Sequence, residues 1–313
     1  MTLTQLEYII SVDNTRHFAK AAAQCFVTQP TLSMQIQKLE EELGVQIFDR
    51  SKQPVVPTQA GAEIIAQARK AVAECNGVLE VVQTQKGILH GQLQVGIIPT
   101  LAPYLLPLFI PAFTQKYLQV KLVVNELTTD LIIARLREGR IDAGILVTPL
   151  QEMGINEDPM FYEELVAYVS KDNAAYKKSY VLPTDIDPNK LWLLEEGHCF
   201  RSQIVNLCQL RKSSKEGSHF EYEAGSIETL RRLVDTNDGI TIIPELATLD
   251  MSPKQQKHLR YFKAPAPVRE VSIATHRNYV KRRLVQALKK EILAAIPEKV
   301  KSNQKRKVVP IEE

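Results

Sequence analysis

Between positions 65 and 82 apolar residues recur at alternating spacings of three and four: Ile65, Ala68, Val72, Cys75, Leu79 and Val82. A stripe of this kind is the a/d seam of a coiled coil, and it sustains a long helix only when something dry covers it. A solitary monomeric helix would leave it wet, so the pattern reads as a dimer seam, weakened locally by Gly77. The seam also divides the chain. Short helical periods precede it, and alternating strand-like and helical runs follow it. A length of 313 residues therefore resolves into separate folding units rather than one core.

Ahead of the seam, Leu6, Ile9 and Ile10 give a first helix one apolar face. Phe18–Cys25 fits a second helix, whose Ala21, Ala22 and Ala23 permit close approach of a neighbour. Val27-Thr28-Gln29-Pro30 then breaks the pattern. Thr28 can cap a third helix, and Pro30 is tolerated in its first turn, where no intrahelical donor is needed. Leu32, Ile36, Leu39 and Leu43 form a buried stripe on that helix. Its opposite side, entered at Gln29, carries Pro30, Thr31, Met34, Gln37 and Lys38, with Ser33 and Gln35 on the flanks. Short polar groups with one exposed apolar side chain suit base edges and a thymine methyl in a major groove. They equally suit a helix face that is merely solvated. After Gly44 the chain runs extended, and Ser51 to Thr58, holding Pro54 and Pro57, reads as a tight hairpin, or wing. Arg50 and Lys52 stand there to meet phosphates. Net charge lends no support. Arg16, Lys20, Lys38, Arg50 and Lys52 are offset by Glu7, Asp13, Glu40, Glu41, Glu42 and Asp49, so the case for DNA rests on pattern.

Beyond His90-Gly91, strand-like runs at Leu93–Ile98, Val120–Glu126 and Ala143–Val147 alternate with helical ones near Tyr104–Tyr117 and Asp130–Glu138. This rhythm predicts a mostly parallel sheet covered by helices. The texture repeats through Leu165–Val169, Leu191–Leu194, Phe220–Glu223, a helix about Ile227–Val234, and Ile240–Ile243. Val271–Ala274 and a helix about Val280–Ile296 then return to the first lobe. In two-lobed α/β folds a ligand sits in the crevice at strand ends. Pro99-Thr100 and Thr128-Thr129 both fall where strand gives way to helix, although Thr100 also reads as a plain helix cap. The basic stretch Lys299–Lys307 reads as a disordered solubilising end or a DNA-contacting arm.

Apolar and charged fractions of 44% and 24% are those of an ordinary soluble globular protein, and no window of eighteen residues is uninterruptedly apolar. With no leader pattern, the expectation is a cytoplasmic chain without a membrane span. There, a disulfide among the four cysteines would be regulatory rather than structural. Cys25, on an apolar helix face, and Cys75, in the seam, read as inert packing thiols. Cys199 and Cys208 differ. If both lie on the short helix that begins near His198, about 1.5 Å of rise per residue puts them ~13 Å apart on opposite faces. A disulfide needs the Cα atoms within about 7 Å. Oxidation and the wound helix would exclude each other, which makes a switch. At a helix N-terminus Cys199 would be favoured as thiolate, with Arg201 and His198 adding to the effect. Spacing alone leaves a second reading, two buried thiols in a Leu- and Val-rich helix. His198, Cys199 and Cys208 match no common zinc spacing and lack an evident fourth ligand, so neither metal nor cofactor is expected.

A set of ordered motifs sharpens these readings. Phe18-Ala19-Lys20-Ala21-Ala22, Thr28-Gln29-Pro30-Thr31-Leu32-Ser33, Gln35–Glu40, Leu43-Gly44, Phe48-Asp49-Arg50 and Thr58-Gln59-Ala60-Gly61 resemble the winged helix-turn-helix of LysR-type regulators. The remainder is similar to the periplasmic-binding-protein-like effector domain of that family. Glu195–Gln203 with Cys208, Gly96–Thr100 with Pro103–Pro107, Ser226–Arg231 and Gly239–Pro244 resemble its peroxide-sensing members.

The resemblance implies a two-lobed α/β regulatory domain behind an N-terminal all-α winged helix-turn-helix domain and a coiled-coil linker helix. Its expected limits are 1–58 for the DNA-binding domain, 59–89 for the linker, 90–298 for the sensor and 299–313 for the tail. Lobe I would take about 90–163 and 268–298, and lobe II about 164–267. It further implies that Cys199 is the peroxidatic cysteine and Cys208 the resolving one. Thr100, Thr129 and His198 would hold peroxide and water, with Arg201, His219 and Arg269 around them. The polar stretch Lys212–Gly217 departs from the pattern by its length. The implied partners are double-stranded DNA with two-fold related half-sites, hydrogen peroxide, further copies in a homodimer or homotetramer, RNA polymerase and a thiol reductant. The implied role is activation of oxidative-stress genes, not catalysis. Two rivals remain at this stage. One is a LysR-type regulator that binds a small metabolite between the lobes, and the other is a thiol peroxidase, for which the seam and the winged helix would be superfluous.

Overall fold

The computed structural model describes residues 1–84, 89–195, 199–208, 224–277, 279, 281–301 and 307–311. The N-terminal unit is helical: α1 (Leu3–Thr15), α2 (Phe18–Gln24) and α3 (Gln29–Leu43), then the two short strands β1 (Phe48–Asp49) and β2 (Val56–Pro57), and α4 (Gln59–Thr84). Thr2 and Gln5 cap the start of α1 reciprocally, each side chain accepting from the other's backbone N–H. Thr28 caps α3 through the Thr31 N–H, and Pro30 sits in the first turn. Leu32, Ile36 and Leu39 are fully buried, whereas Leu43 stays 38% exposed, so the stripe ends one turn before the periodicity does. Ile47 and Phe48 complete that core instead. β1 pairs antiparallel with β2 as the wing. Gly61 lets α4 start hard against it, since a Cβ there would meet the Ile47 carbonyl oxygen at 1.9 Å.

The predicted dimer seam needs correction along its first half. Ile65 and Ala68 are each 3% exposed because they pack into the head's own core, where α4 lies against α1. Val72 is half-buried and Cys75 exposed; the side chains of Leu79 and Val82 lie outside the described ones. A spacing of three and four demands a cover but does not say whose. Here α1 supplies it for the first two positions.

The sensor unit comprises β3 (Gly91–Ile97), α5 (Ala102–Lys116), β4 (Val120–Glu126), α6 (Thr129–Arg137), β5 (Ala143–Thr148), β6 (Ile155–Val169), α7 (Cys199–Leu207), α8 (Ile227–Thr236), β7 (Ile240–Pro244), α9 (Pro253–Gln256), β8 (Leu259–Tyr261), β9 (Pro267–His276), α10 (Arg282–Ala295), α11 (Glu298–Lys301) and β10 (Lys307–Val308). The strand order is β4-β3-β5-β9-β6-β7. β3 pairs parallel with β4 and β5, as the βαβ rhythm predicts. β9 then runs antiparallel to both β5 and β6. β6 serves both lobes: Ile155–Glu164 pair with β9, skipping Met160 at an irregularity, and Leu165–Val169 pair with β7.

Two expectations come out differently. Leu191–Leu194 forms isolated bridges, Leu191 to Ile240 and Leu194 to Ala224, rather than a strand. Phe220–Glu223 lies outside the described residues, as does Lys212–Gly217. The tail is not a free end where it is described: Val300 and Val309 are buried, and β10 pairs parallel with β9 at Pro267 and Val268. Val300, Val308 and Val309 carry an apolar signal that the surrounding lysines mask.

Candidate functional site

Cys199 opens α7, and the next residue, Phe200, is fully buried. Three separate strand ends converge on that helix start. Thr100 follows β3, Thr129 begins α6 after β4, and Arg269 comes from β9. Arg269 is completely buried, and its charge is met by Glu163 of β6, equally buried, at 2.8 Å. The same guanidinium donates to Thr100 Oγ1 at 3.0 Å and to the Thr100 carbonyl at 3.1 Å, and lies 5.1 Å from the Phe200 ring centroid. A buried ion pair with its remaining donors satisfied holds geometry firmly, because losing either partner strands a charge.

The hydrogen bonding gives Thr100 a role other than capping. The N-cap of α5 is Leu101, without a side-chain cap bond, so the Thr100 hydroxyl is not spent on the helix. Since its oxygen accepts from Arg269, its own proton remains to be donated. Thr129 Oγ1 is buried with no hydrogen-bond partner among the described residues, and its hydroxyl is one of the groups that lower the Cys199 thiol. Burial pushes the Cys199 thiol above its ordinary value. The Thr129 hydroxyl, the Arg269 charge and the backbone N–H groups of Phe200 and Cys199 pull it back. Of the expected activators, Arg201 needs correction. Arg201 donates to the Leu194 carbonyl at 2.7 Å, and the cation that acts on the sulfur is Arg269. His198 and His219 lie outside the described residues. Sequence reasoning missed Glu163. Its signal was an acidic pair, Glu163-Glu164, inside the apolar run Phe161–Val169.

Cys208 follows the last residue of α7, and its N–H donates to the Ile204 carbonyl at 3.0 Å, so the helical path includes both cysteines. Both thiols are free. Helical rise separates them by ~13 Å, well beyond bonding reach. Burial pushes the Cys208 thiol up to about 12. The helix between them is fastened to the C-terminal segment. Gln203, fully buried, donates to the Val309 carbonyl at 2.9 Å, and Asn206 donates to the Pro310 carbonyl at 3.3 Å.

In the head, Gln29, Pro30, Thr31, Met34, Gln37 and Lys38 are exposed along α3 as the sequence predicts, with Ser33 half-buried. Arg50 is less free than expected: it pairs with Glu40 at 2.9 Å, donates to Ser33 at 3.3 Å and lies over the Phe18 ring. Lys52 is exposed beside Asp49 at 3.7 Å. Cys25 packs half-buried against the head core.

Two family models match. Residues 3–62 match the bacterial regulatory helix-turn-helix protein of the lysR family, and residues 86–297 match the LysR substrate binding domain. The chain belongs to the LysR family, in its OxyR branch. The hydrogen peroxide-inducible genes activator of Dickeya chrysanthemi is 37% identical over 247 residues, covering 79% of this chain and 80% of the relative. The DNA-binding transcriptional dual regulator OxyR of Escherichia coli K12 has the same identity, 37%, over 79% of this chain and 80% of its own. Among solved structures, a full-length OxyR variant from Pseudomonas aeruginosa superposes with a TM-score of 0.82 at 35% identity, covering 95% of this chain and 99% of that one.

In this LysR-type chain one carboxylate bridges the head and the sensor. Asp13 of α1, 3% exposed, accepts from Arg69 of α4 at 2.7 Å and from Arg140, in the turn after α6, at 2.9 Å. Arg16 holds its other oxygen at 2.9 Å. Among the described residues, no three His, Cys, Asp or Glu side chains gather as a metal set, and no helix is long and apolar enough to cross a membrane.

Proposed function

We propose that this chain is a peroxide-responsive DNA-binding activator, switched by a disulfide between Cys199 and Cys208. The observation that carries the reading is the placement of the two thiols at opposite ends of α7, with the Cys199 end seated on Arg269, Thr100 and Thr129. The Cys199 thiolate attacks one oxygen of hydrogen peroxide. The O–O bond breaks, the sulfur becomes a sulfenic acid and hydroxide leaves. Thr100 and Thr129 are the donors available to hold peroxide and the departing oxygen, and Arg269 stabilises the negative charge that develops.

The second step is gated. Cys208 attacks as thiolate, and burial holds it protonated. Unwinding α7 brings it within reach and into water, where its thiol falls toward the ordinary value of about 8.5. The new S–S bond releases the sulfenic oxygen as water. A thiol reductant returns both cysteines to the free state. The residues exposed along α3 read the major groove, Lys52 and, on release from Glu40, Arg50 meet phosphates, and DNA half-sites are spanned by a homodimer or homotetramer that oxidation remodels. RNA polymerase is the recipient of the signal. The chain itself turns over nothing and works in the cytoplasm.

Peptide mapping after mild peroxide is the test, read alongside fluorescence of Trp192, the chain's one tryptophan. A Cys199–Cys208 linkage and a fluorescence change, both abolished in Cys199→Ser, are expected. Linkage of Cys199 to Cys25 or Cys75, or a chain indifferent to peroxide, would refute the proposal.

A further inference from the structure

α2 ends in a Schellman turn. The Phe26 N–H donates to the Ala23 carbonyl at 3.3 Å and the Val27 N–H to the Ala22 carbonyl at 3.0 Å, with Phe26 between them at φ +56°. That position is left-handed, and glycine is its usual occupant because a Cβ is strained there. Phe26 is also 95% exposed, so its ring buries nothing within the chain. The residue is unfavourable for the fold on both counts. Arg16, at φ +53° at the end of α1, offers the contrast: its side chain reaches Asp13 at 2.9 Å and so compensates for its backbone. Phe26 has no such contact among the described residues. Strain kept without a folding benefit points to a function outside the fold.

The place of the ring says which. Phe26 stands two residues before Thr28, the N-cap of α3, in a turn where Thr28, Gln29, Pro30 and Thr31 are all exposed. In helix-turn-helix proteins the N-terminal end of the recognition helix, here α3, enters the major groove, and flanking residues meet the backbone. We infer that Phe26 packs its ring against the deoxyribose of the DNA strand bordering that groove. The inference rests on the DNA-binding reading proposed above. Deoxyribose presents C–H surface beside each phosphate, which suits an aromatic face better than any charged group on the protein. The contact fixes how the head sits and reads no base. Being apolar, it releases no counterions, so it adds affinity without adding salt dependence.

Phe26→Gly tests this, because glycine suits the left-handed turn and removes no buried contact. The probes are a duplex enriched from a random pool on the full-length wild-type chain, and an unrelated duplex. The variant should melt at a higher temperature than wild type, yet bind both duplexes roughly tenfold more weakly. The slope of log affinity against log salt should stay the same, and Phe26→Trp should retain wild-type affinity. Unchanged affinity in Phe26→Gly, with wild type binding normally, overturns the inference and leaves the DNA-binding reading standing. A shallower salt slope would mean that a phosphate contact had been lost instead, and altered self-association would assign the ring to a second copy of the chain; either result overturns it. If the wild type enriched no duplex, the DNA-binding reading would fall and this inference with it.

Discussion

At the scale of single residues, the chemistry of Cys199 is a contest between burial, which raises its thiol, and Thr129 and Arg269, which lower it. Burial prevails, so the rate of oxidation by peroxide should keep rising with pH past about 8.5, the ordinary thiol value. Thr129→Val removes a lowering influence at constant shape. It should slow oxidation about tenfold near neutral pH and move the inflection of the pH–rate profile upward. A profile unmoved in the variant would show that the hydroxyl does not act on the sulfur. Arg269 is structural as well as chemical. Arg269→Met strands Glu163 without a counter-charge and should cost the sensor about 3–5 kcal/mol in urea unfolding, with partial rescue when Glu163→Gln is added. No rescue in the double variant would mean that the pair is not coupled. The two cysteines and Thr100 came through resemblance, since spacing alone left the cysteines open to reading as buried thiols and Thr100 as a plain helix cap. The Arg269–Glu163 pair was half legible: Arg269 came through resemblance, while Glu163 lies more than a hundred residues earlier in an apolar run, where only the fold brings it to the guanidinium.

At the scale of elements, periodicity located most helices and strands, but not what covers them. The α4 stripe was visible, yet Ile65 and Ala68 face α1 because the head needs that surface to close its own core. β6 was legible only in its last five residues. Its first ten, from Ile155 to Glu164, carry the polar Asn156, Glu157 and Asp158 and then Pro159, and close on the acidic pair Glu163-Glu164; pairing with β9 makes them a strand. β10 was hidden by its basic neighbours, and its consequence is functional, since the chain beyond it holds α7 through Gln203 and Asn206. If α7 must unwind for the disulfide to form, this tether stabilises the reduced state. Gln203→Leu removes one hydrogen bond of about 1 kcal/mol. It should lower the Cys199–Cys208 potential by about 20 mV in a glutathione titration and speed conversion of sulfenic acid to disulfide. A potential equal to wild type would show that the C-terminal segment does not restrain the helix.

At the scale of the whole molecule, the class was readable from the order of textures: helical head, long helix, alternating α/β sensor. The junction between head and sensor was not, because it depends on isolated charges far apart in sequence. Asp13 gathers Arg16 and Arg69 from the head and linker, and Arg140 from the sensor. A change in sensor shape can reach the head directly through that third arginine. Asp13 cannot be removed cleanly, since Arg69, 6% exposed at its side chain, would be left buried without a counter-charge. Arg140 can, because its side chain is 32% exposed and its loss leaves Asp13 with two partners. Arg140→Ala should therefore change stability by under about 1 kcal/mol, as for a partly exposed ion pair. Its rate of oxidation by peroxide should equal that of wild type, since the pocket around Cys199 is untouched. What should shrink is the difference in DNA affinity between the reduced and oxidised forms, because coupling is carried by contacts that differ between two states. A wild-type ratio in the variant would mean that the signal does not pass through Arg140. A compressed ratio at unchanged oxidation rate would separate sensing from transmission, and would assign transmission to a single carboxylate shared between the two halves of the chain.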